Sequence, residues 1–328
     1  MRRTIEGAPL AARGASAHSP EVTKIDDNVA DAPAGNWVDR FAPAPLRPYL
    51  RLSRMDRPIG TWLLLLPCWW SIALAAEPGG LPDFRLLVLF AIGAILMRGA
   101  GCTFNDLVDR DFDARVERTR SRPLPSGQVT PRQAWAWLVL QSLGGLAILL
   151  QLDPLAIALG VASLALIAIY PFMKRITWWP QFFLGLAFNW GALMGHAAAR
   201  GEVSMAAVLL YLGGIAWTLG YDTVYAHQDR EDDALIGVRS SARLLGARTR
   251  AWLRGFYAVA LLCFALAGWN GEMGWTFWVL LVGVGAHFHW QASGVDIDNP
   301  ADCLARFRAN RDLGLILFAA ILLGRALA

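Results

Sequence analysis

RGAGCTFNDLVDRDFDARVERTRSRPLPSG, residues 98–127, begins at the end of an apolar run and crosses into a dense mixture of acids and arginines. Asn105, Asp106, Asp109 and Asp113 recur there at spacings of one, three and four. Residues three or four apart are neighbours on a helix surface. Asn105, Asp109 and Asp113 therefore stack on one face, with Asp106 beside them, and Arg98 lies two turns earlier on nearly the same face. The stretch predicts a membrane helix with carboxylates at its mouth and a cation deeper in. Such groups are costly in a membrane, which marks them as candidates for function.

Working outward, the chain of 328 residues is 55% hydrophobic and 17% charged, where a soluble domain carries about 25% charged residues. The apolar residues come in long blocks. The fold class is an all-α integral membrane protein. A spanning helix takes about 20 mainly apolar residues, and nine segments qualify: 58–76, 86–105, 132–151, 154–171, 180–199, 204–222, 251–269, 274–291 and 311–327. Asp153-Pro154 separates the closely spaced third and fourth, since Pro cannot continue a helix interior. Residues 1–45 are polar and read as a disordered extension; residues 46–328 form the transmembrane domain. The extension lacks the apolar core of a secretory signal. Arg2, Arg3 and Arg13 give it a faint transit-peptide character that Glu6, Glu21, Asp26, Asp27 and Asp31 oppose. The expected location is the bacterial cell inner membrane, with the mitochondrial inner membrane as the alternative.

The formal charge of +4 does not indicate a nucleic-acid partner, because the arginines sit in particular loops. Arg110, Arg115, Arg118, Arg120, Arg122 and Arg132 follow the second span, and Lys174 and Arg175 the fourth. Arg230, Arg239, Arg243, Arg248 and Arg250 follow the sixth, and Arg306, Arg308 and Arg311 the eighth. The intervening loops offer only Arg85 and Arg200. Excess Lys and Arg mark the cytoplasmic side, so the acid-rich loops all lie there. Cys68, Cys102, Cys263 and Cys303 form no CxxC pair and read as packed, reduced thiols. His287 and His289, two apart, do not share a helical face and do not make a metal pair. The fifteen Trp suit membrane interfaces or packing within a bundle.

A second acid cluster follows the sixth span, in GYDTVYAHQDREDDALIGVRSSA, residues 220–242. Asp222, Asp229 and Asp233 are spaced seven and four, which puts them on one helical face near Tyr225. Glu231 and Asp232 point elsewhere. Several carboxylates brought together repel unless cations join them, and oxygen-only donors suit Mg²⁺. That ion typically bridges a few carboxylates and substrate phosphates. Lys174 and Arg175, with Arg115, Arg118 and Arg122, complete the charge balance of a phosphate group. Metal-bound diphosphate is a good leaving group. In a lipid-embedded cavity these parts describe ionisation of an isoprenoid diphosphate to an allylic cation.

These strings are similar to those of a known family. NDLVDRDFD at Asn105–Asp113 resembles the NDxxDxxxD motif of the UbiA superfamily of intramembrane prenyltransferases, and DREDD at Asp229–Asp233 resembles its second motif. RMDRPIG (54–60), RTRSRPLPSG (118–127), YPFMKR (170–175), YDTVYA (221–226) and IGVRSS (236–241) extend the likeness over residues 50–325. Three of these strings are similar to the 4-hydroxybenzoate polyprenyltransferase branch, which acts in ubiquinone synthesis. The resemblance implies nine transmembrane helices around a central cavity and two Mg²⁺ ions holding a polyprenyl diphosphate between the motifs. It implies C-prenylation of 4-hydroxybenzoate ortho to its hydroxyl. Asn105, Asp109 and Asp113 would bind one metal side, Asp229 and Asp233 the other, and Lys174 and Arg175 the diphosphate. Asp109 and Asp229 head the two stacks and are catalytic candidates. Asp222 matches a position that assists deprotonation of the acceptor. The acceptor carboxylate needs a cation; Arg98 is the candidate, with Arg54 and Arg57 as rivals. The alternatives are a different aromatic acceptor or an acid-lined transporter. Transporters tend to place such residues near mid-membrane, whereas these acids lie at helix ends. Oligomeric state and prenyl length are not legible.

Overall fold

The computed structural model describes residues 32–33, 35–115, 119–235 and 237–328, and every regular element among them is helical. Backbone crossing a bilayer must satisfy its own hydrogen bonds, which leaves helices or closed barrels. The apolar blocks take the first solution: α1 (Ile59–Leu74), α2 (Phe84–Asp113), α3 (Pro131–Leu149), α4 (Pro154–Ile176), α5 (Pro180–Arg200, interrupted at Trp190), α6 (Met205–Ala226), α7 (Thr249–Asn270), α8 (Trp275–Ser293) and α9 (Pro300–Ala326). Each segment expected to span lies on one of them.

Among the described residues, five helices are long and apolar enough to cross a membrane by length and composition: Phe84–Asp113, Pro154–Ile176, Pro180–Arg200, Met205–Asp229 and Ser241–Asn270. α1 is short, with 16 residues. α3 and α8 contain Trp, Gln or His, which lower their hydropathy, and α9 begins with a charged half. The described part of the N-terminal extension includes a short helix, Trp37–Phe41. Its Trp37 indole donates to the Met55 carbonyl at 2.7 Å.

Sequence punctuation sets the helix ends. The Asp83 carboxylate caps α2 by accepting from the amides of Arg85 and Leu86. Thr130 and Gln133 form a reciprocal capping box at the start of α3, with Pro131 in the first turn. Asp153 caps α4 and Pro154 opens it, the break expected between the third and fourth spans. α5 ends on Gly201 at φ 70°, the left-handed conformation that suits glycine at a helix C-terminus.

The interior is partly aromatic and partly polar. Trp70 of α1, Trp217 of α6 and Phe264 of α7 are fully buried, with ring centroids 5.2 and 5.6 Å from Trp70. A buried indole N–H needs an acceptor; Trp70 finds the Gly314 carbonyl at 2.8 Å and Trp217 the Asn310 Oδ1 at 2.7 Å. Asn310 also accepts from Gln291 at 3.0 Å, and Gln291 Oε1 accepts from the Tyr257 hydroxyl at 2.8 Å. One network thereby joins α6, α7, α8 and α9. The outward faces are apolar, as Val139, Leu140 and Leu143 of α3 and Val161, Leu164 and Ile169 of α4 are exposed. This inside-out distribution is what a hydrocarbon solvent permits.

Candidate active site

The C-terminal ends of α2, α4 and α6 meet around one cavity of about 250 Å³. α2 contributes Asn105, Asp109 and Asp113, α4 contributes Tyr170 and Lys174, and α6 contributes Asp222 and Tyr225. Asp229 and Asp233 close it from the segment after α6. The two acid clusters, over a hundred residues apart in the chain, thus share a cavity. Helix C-termini carry partial negative charge, so three of them beside five carboxylates create a strong demand for cations.

The chain meets part of that demand itself. Asp109 is 1% exposed in its side chain and accepts from the Lys174 ammonium and from Arg175 Nη2, the latter at 3.1 Å. The Arg175 guanidinium also stacks on Phe112, 4.7 Å from the ring centroid. Arg122 Nη1 lies 2.9 Å from Asp113 Oδ2 and 3.7 Å from Asp106 Oδ1. Asp106 is fully buried and also accepts from Arg54 Nη2 at 2.6 Å. Arg54 reaches it from a left-handed backbone at φ 57°, uncommon for a residue other than glycine. A buried carboxylate costs several kcal/mol unless paired. Asp106 therefore anchors the segment before α1 and the loop after α2 to the first acid motif.

The second cluster does not lie on one continuous helix. α6 ends at Ala226, the chain tightens to a 3₁₀ turn over His227–Asp229, and a new helix runs Arg230–Leu235. His227 is buried and shares a 3.0 Å hydrogen bond with Thr249 Oγ1 at this turn. Asp222, Asp229 and Asp233 reach the same cavity across it. The segment beyond is tied to α4: the Arg239 amide donates to the Lys174 carbonyl at 2.9 Å, and Arg239 Nη1 donates to the Ile176 carbonyl at 2.6 Å. Those are carbonyls that a helix end leaves unsatisfied. The guanidinium of Arg239 and that of Arg243 lie 5.8 and 5.4 Å from the Trp178 ring centroid.

Arg98 lies deeper on α2. Its guanidinium is 5.0 Å from the Phe188 ring centroid. Its Nε is buried without a hydrogen bond. It packs against Gly60, where an added Cβ would stand 2.6 Å from Nε and Nη2. Asp222 is within electrostatic reach of it. The rivals are committed elsewhere, Arg54 to Asp106 and Arg57 to Asp56 at 3.2 Å. Arg118 lies outside the described residues, and Arg115 is exposed. Sequence reasoning did not single out Tyr170, Gln181, Arg239 or Ser240, which also line the cavity. Arg239 entered the sequence reading only as one of the arginines after the sixth span and as part of a quoted string.

The donors fit a hard divalent cation in kind, being carboxylate and amide oxygens on one cavity. Among the described lining residues, five acids (Asp109, Asp113, Asp222, Asp229, Asp233) face three cations (Arg122, Lys174, Arg239), a deficit that a divalent ion would offset. No three acids among the described residues already surround one point. Asp109 and Asp113 hold Lys174, Arg175 and Arg122 instead.

The described residues thus define an all-helical membrane protein with acids and cations sharing one cavity at its helix ends. The profile of the UbiA prenyltransferase family matches residues 64–321, and the chain belongs to that family. It is 49% identical over 292 residues to "4-hydroxybenzoate polyprenyltransferase, mitochondrial" of Arabidopsis thaliana, covering 89% of this chain and 72% of that protein. The proteins of the same name from Bos taurus and Homo sapiens are 52% and 51% identical, over 88% and 86% of this chain and 78% and 76% of theirs. Among solved structures, the apo UbiA homolog from Aeropyrum pernix K1 superposes with a TM-score of 0.66 at 26% identity, covering 80% of this chain and 96% of that one. The UbiA homolog from Archaeoglobus fulgidus bound to GPP and Mg²⁺ gives 0.62 at 18% identity over 84% and 99%, a likeness of fold.

Proposed function

We propose that this chain transfers a polyprenyl group from its diphosphate to 4-hydroxybenzoate, at the carbon ortho to the hydroxyl, as a step of ubiquinone synthesis. The observation that carries the reading is the single cavity in which both acid motifs and Lys174 meet; relatives at about half identity with that activity in their names support the acceptor. Asn105, Asp109 and Asp113 would hold one Mg²⁺, and Asp229 and Asp233 another. The metal supplies charge that stabilises the departing diphosphate. A likeness to a homolog bound to Mg²⁺ and GPP supports that choice of ion.

The protein's own groups do the rest. Lys174, Arg175, Arg122 and Arg118 bind diphosphate oxygens. The carbon–oxygen bond of the donor breaks, and the surrounding helices keep the allylic cation from water. Arg98 pairs with the acceptor carboxylate and turns the ring toward the donor. The ring carbon forms the new bond, and its proton leaves to Asp222 or to the released diphosphate. Asp222 makes no hydrogen bond among the described residues, which leaves its oxygens open to the acceptor hydroxyl or the ring proton.

Residues 46–328 form the catalytic domain, with nine spans and the site at the face that carries the basic loops; residues 1–45 are an extension. The relatives are named as mitochondrial. That favours the alternative location, an inner mitochondrial membrane, and lends no support to the bacterial placement expected from the sequence. The test is a panel of acceptors with a polyprenyl diphosphate and Mg²⁺, read by product mass. Prenylated 4-hydroxybenzoate as the main product supports the reading. Prenylation of a naphthoate in its place would move the chain to another branch, and substrate flux in liposomes without diphosphate release would make it a transporter.

A further inference from the structure

Every acid of the first motif that lines the cavity is held by a cation of the chain. Asp109 holds Lys174 and Arg175, and Asp113 holds Arg122. These cations are also the ones suited to phosphate oxygens, so one set of groups has two possible partners. The acids are nearly fully buried, with side-chain exposures of 1% for Asp109 and 12% for Asp113. Lys174, which lines the cavity, and Arg175, which stacks on Phe112 beside it, are 30% and 37% exposed and carried on long stems.

We infer that Lys174, Arg175 and Arg122 are resident counter-cations that occupy the metal-binding carboxylates until a diphosphate arrives, so that metal and diphosphate bind as a coupled pair. This rests on the metal–diphosphate reading above. Asp109 is available to a metal ion only when Lys174 and Arg175 have another anion to bind. That anion is the diphosphate. In exchange, each cation leaves a carboxylate for a phosphate oxygen, and a divalent ion restores most of the positive charge that the carboxylates give up. Coupling of this kind is reciprocal: whatever factor diphosphate adds to metal affinity, metal adds to diphosphate affinity. The consequence is that metal alone does not lock the site in an ionising state without a donor.

The test is protein-bound Mn²⁺, measured by equilibrium dialysis at matched free Mn²⁺ with the Mn²⁺–diphosphate complex counted separately, using purified protein in detergent and inorganic diphosphate as the second ligand. In wild type, diphosphate should tighten Mn²⁺ binding by about tenfold or more, within the usual range of coupling. Lys174→Gln and Arg175→Gln should each tighten the binding of Mn²⁺ alone by several-fold while weakening retention of labelled diphosphate. Arg122→Gln acts on Asp113 independently and should do the same, which keeps the test open if an α4 variant fails to fold. Arg110→Gln removes an equal charge from the same helix end, where Arg110 pairs with Asp111 rather than with a motif acid. It should change Mn²⁺ affinity less than about twofold, the weak effect of an exposed pair. Unchanged or weaker Mn²⁺ binding in all three motif variants, or an equal gain in Arg110→Gln, would overturn the exchange. Wild type that binds Mn²⁺ equally with and without diphosphate would overturn it while leaving the metal site standing. Absence of Mn²⁺ binding under every condition would remove the metal–diphosphate reading and the exchange with it.

Discussion

At the scale of single residues, Arg98 is the most informative. Among the described residues it has no hydrogen bond and no ion pair; its guanidinium lies 5.0 Å from the Phe188 ring centroid, with the Asp222 carboxylate within electrostatic reach. A guanidinium left so within a membrane helix is expensive, and an incoming carboxylate would relieve that cost. Arg98→Ala is therefore expected to raise the KM for 4-hydroxybenzoate by about 10- to 100-fold, the weight of a charge-assisted hydrogen bond, with a smaller change for the prenyl donor. Equal changes for both substrates in steady-state kinetics would remove this assignment. Gly60 gives a second approach to the same point. An alanine Cβ there would stand 2.6 Å from two guanidinium nitrogens. Gly60→Ala should push the cation aside and raise acceptor KM in the same direction without removing any charge; an unchanged acceptor KM would contradict the packing.

At the scale of elements, the second acid motif depends on how its segment is tied down. Arg239 satisfies two carbonyls at the end of α4, one of them on Lys174 itself, and flanks Trp178 together with Arg243. It thereby sets the distance between the lysine that holds Asp109 and the segment that carries Asp233. Arg239→Ala should raise donor KM by several-fold and speed hydrogen exchange over residues 230–240. Acceptor KM should move less. A fall in melting temperature with both KM values unchanged would mean a structural tie only. The helices themselves were legible, because apolar blocks of the right length and the Asp153-Pro154 break are written in composition. The acid stack of α2 was legible too, since a helical period maps spacing directly onto a face. The tightening to a 3₁₀ turn after Ala226 was not. No Pro or Gly marks it, and it coincides with a tertiary bond from His227 to Thr249. Arg239 was hidden for a similar reason: its partners are main-chain carbonyls, which leave no trace in side-chain pattern.

At the scale of the whole molecule, charge and polarity are distributed as a bilayer demands. Apolar residues cover the outside, while Asn310, Gln291 and Tyr257 bind one another inside. Such a network is stabilising only when complete. Asn310→Ala would strand the Trp217 indole, while the Gln291 amide would keep His287 Nδ1 at 3.1 Å, and should destabilise the fold by roughly 1–3 kcal/mol. The measurement is the melting temperature in detergent, and an unchanged value would show that the network contributes little. On the same scale, Asp109, Asp113, Asp222, Asp229 and Asp233 gain meaning only because the fold delivers them to one cavity. The most direct test of that convergence is diphosphate release in proteoliposomes supplied with polyprenyl diphosphate, 4-hydroxybenzoate and Mg²⁺. It should be measured for wild type, Asp109→Ala and Asp229→Ala at equal amounts of inserted protein. Each single variant should lose release and prenylated product together, to background; full turnover by either one would contradict a site built from both motifs.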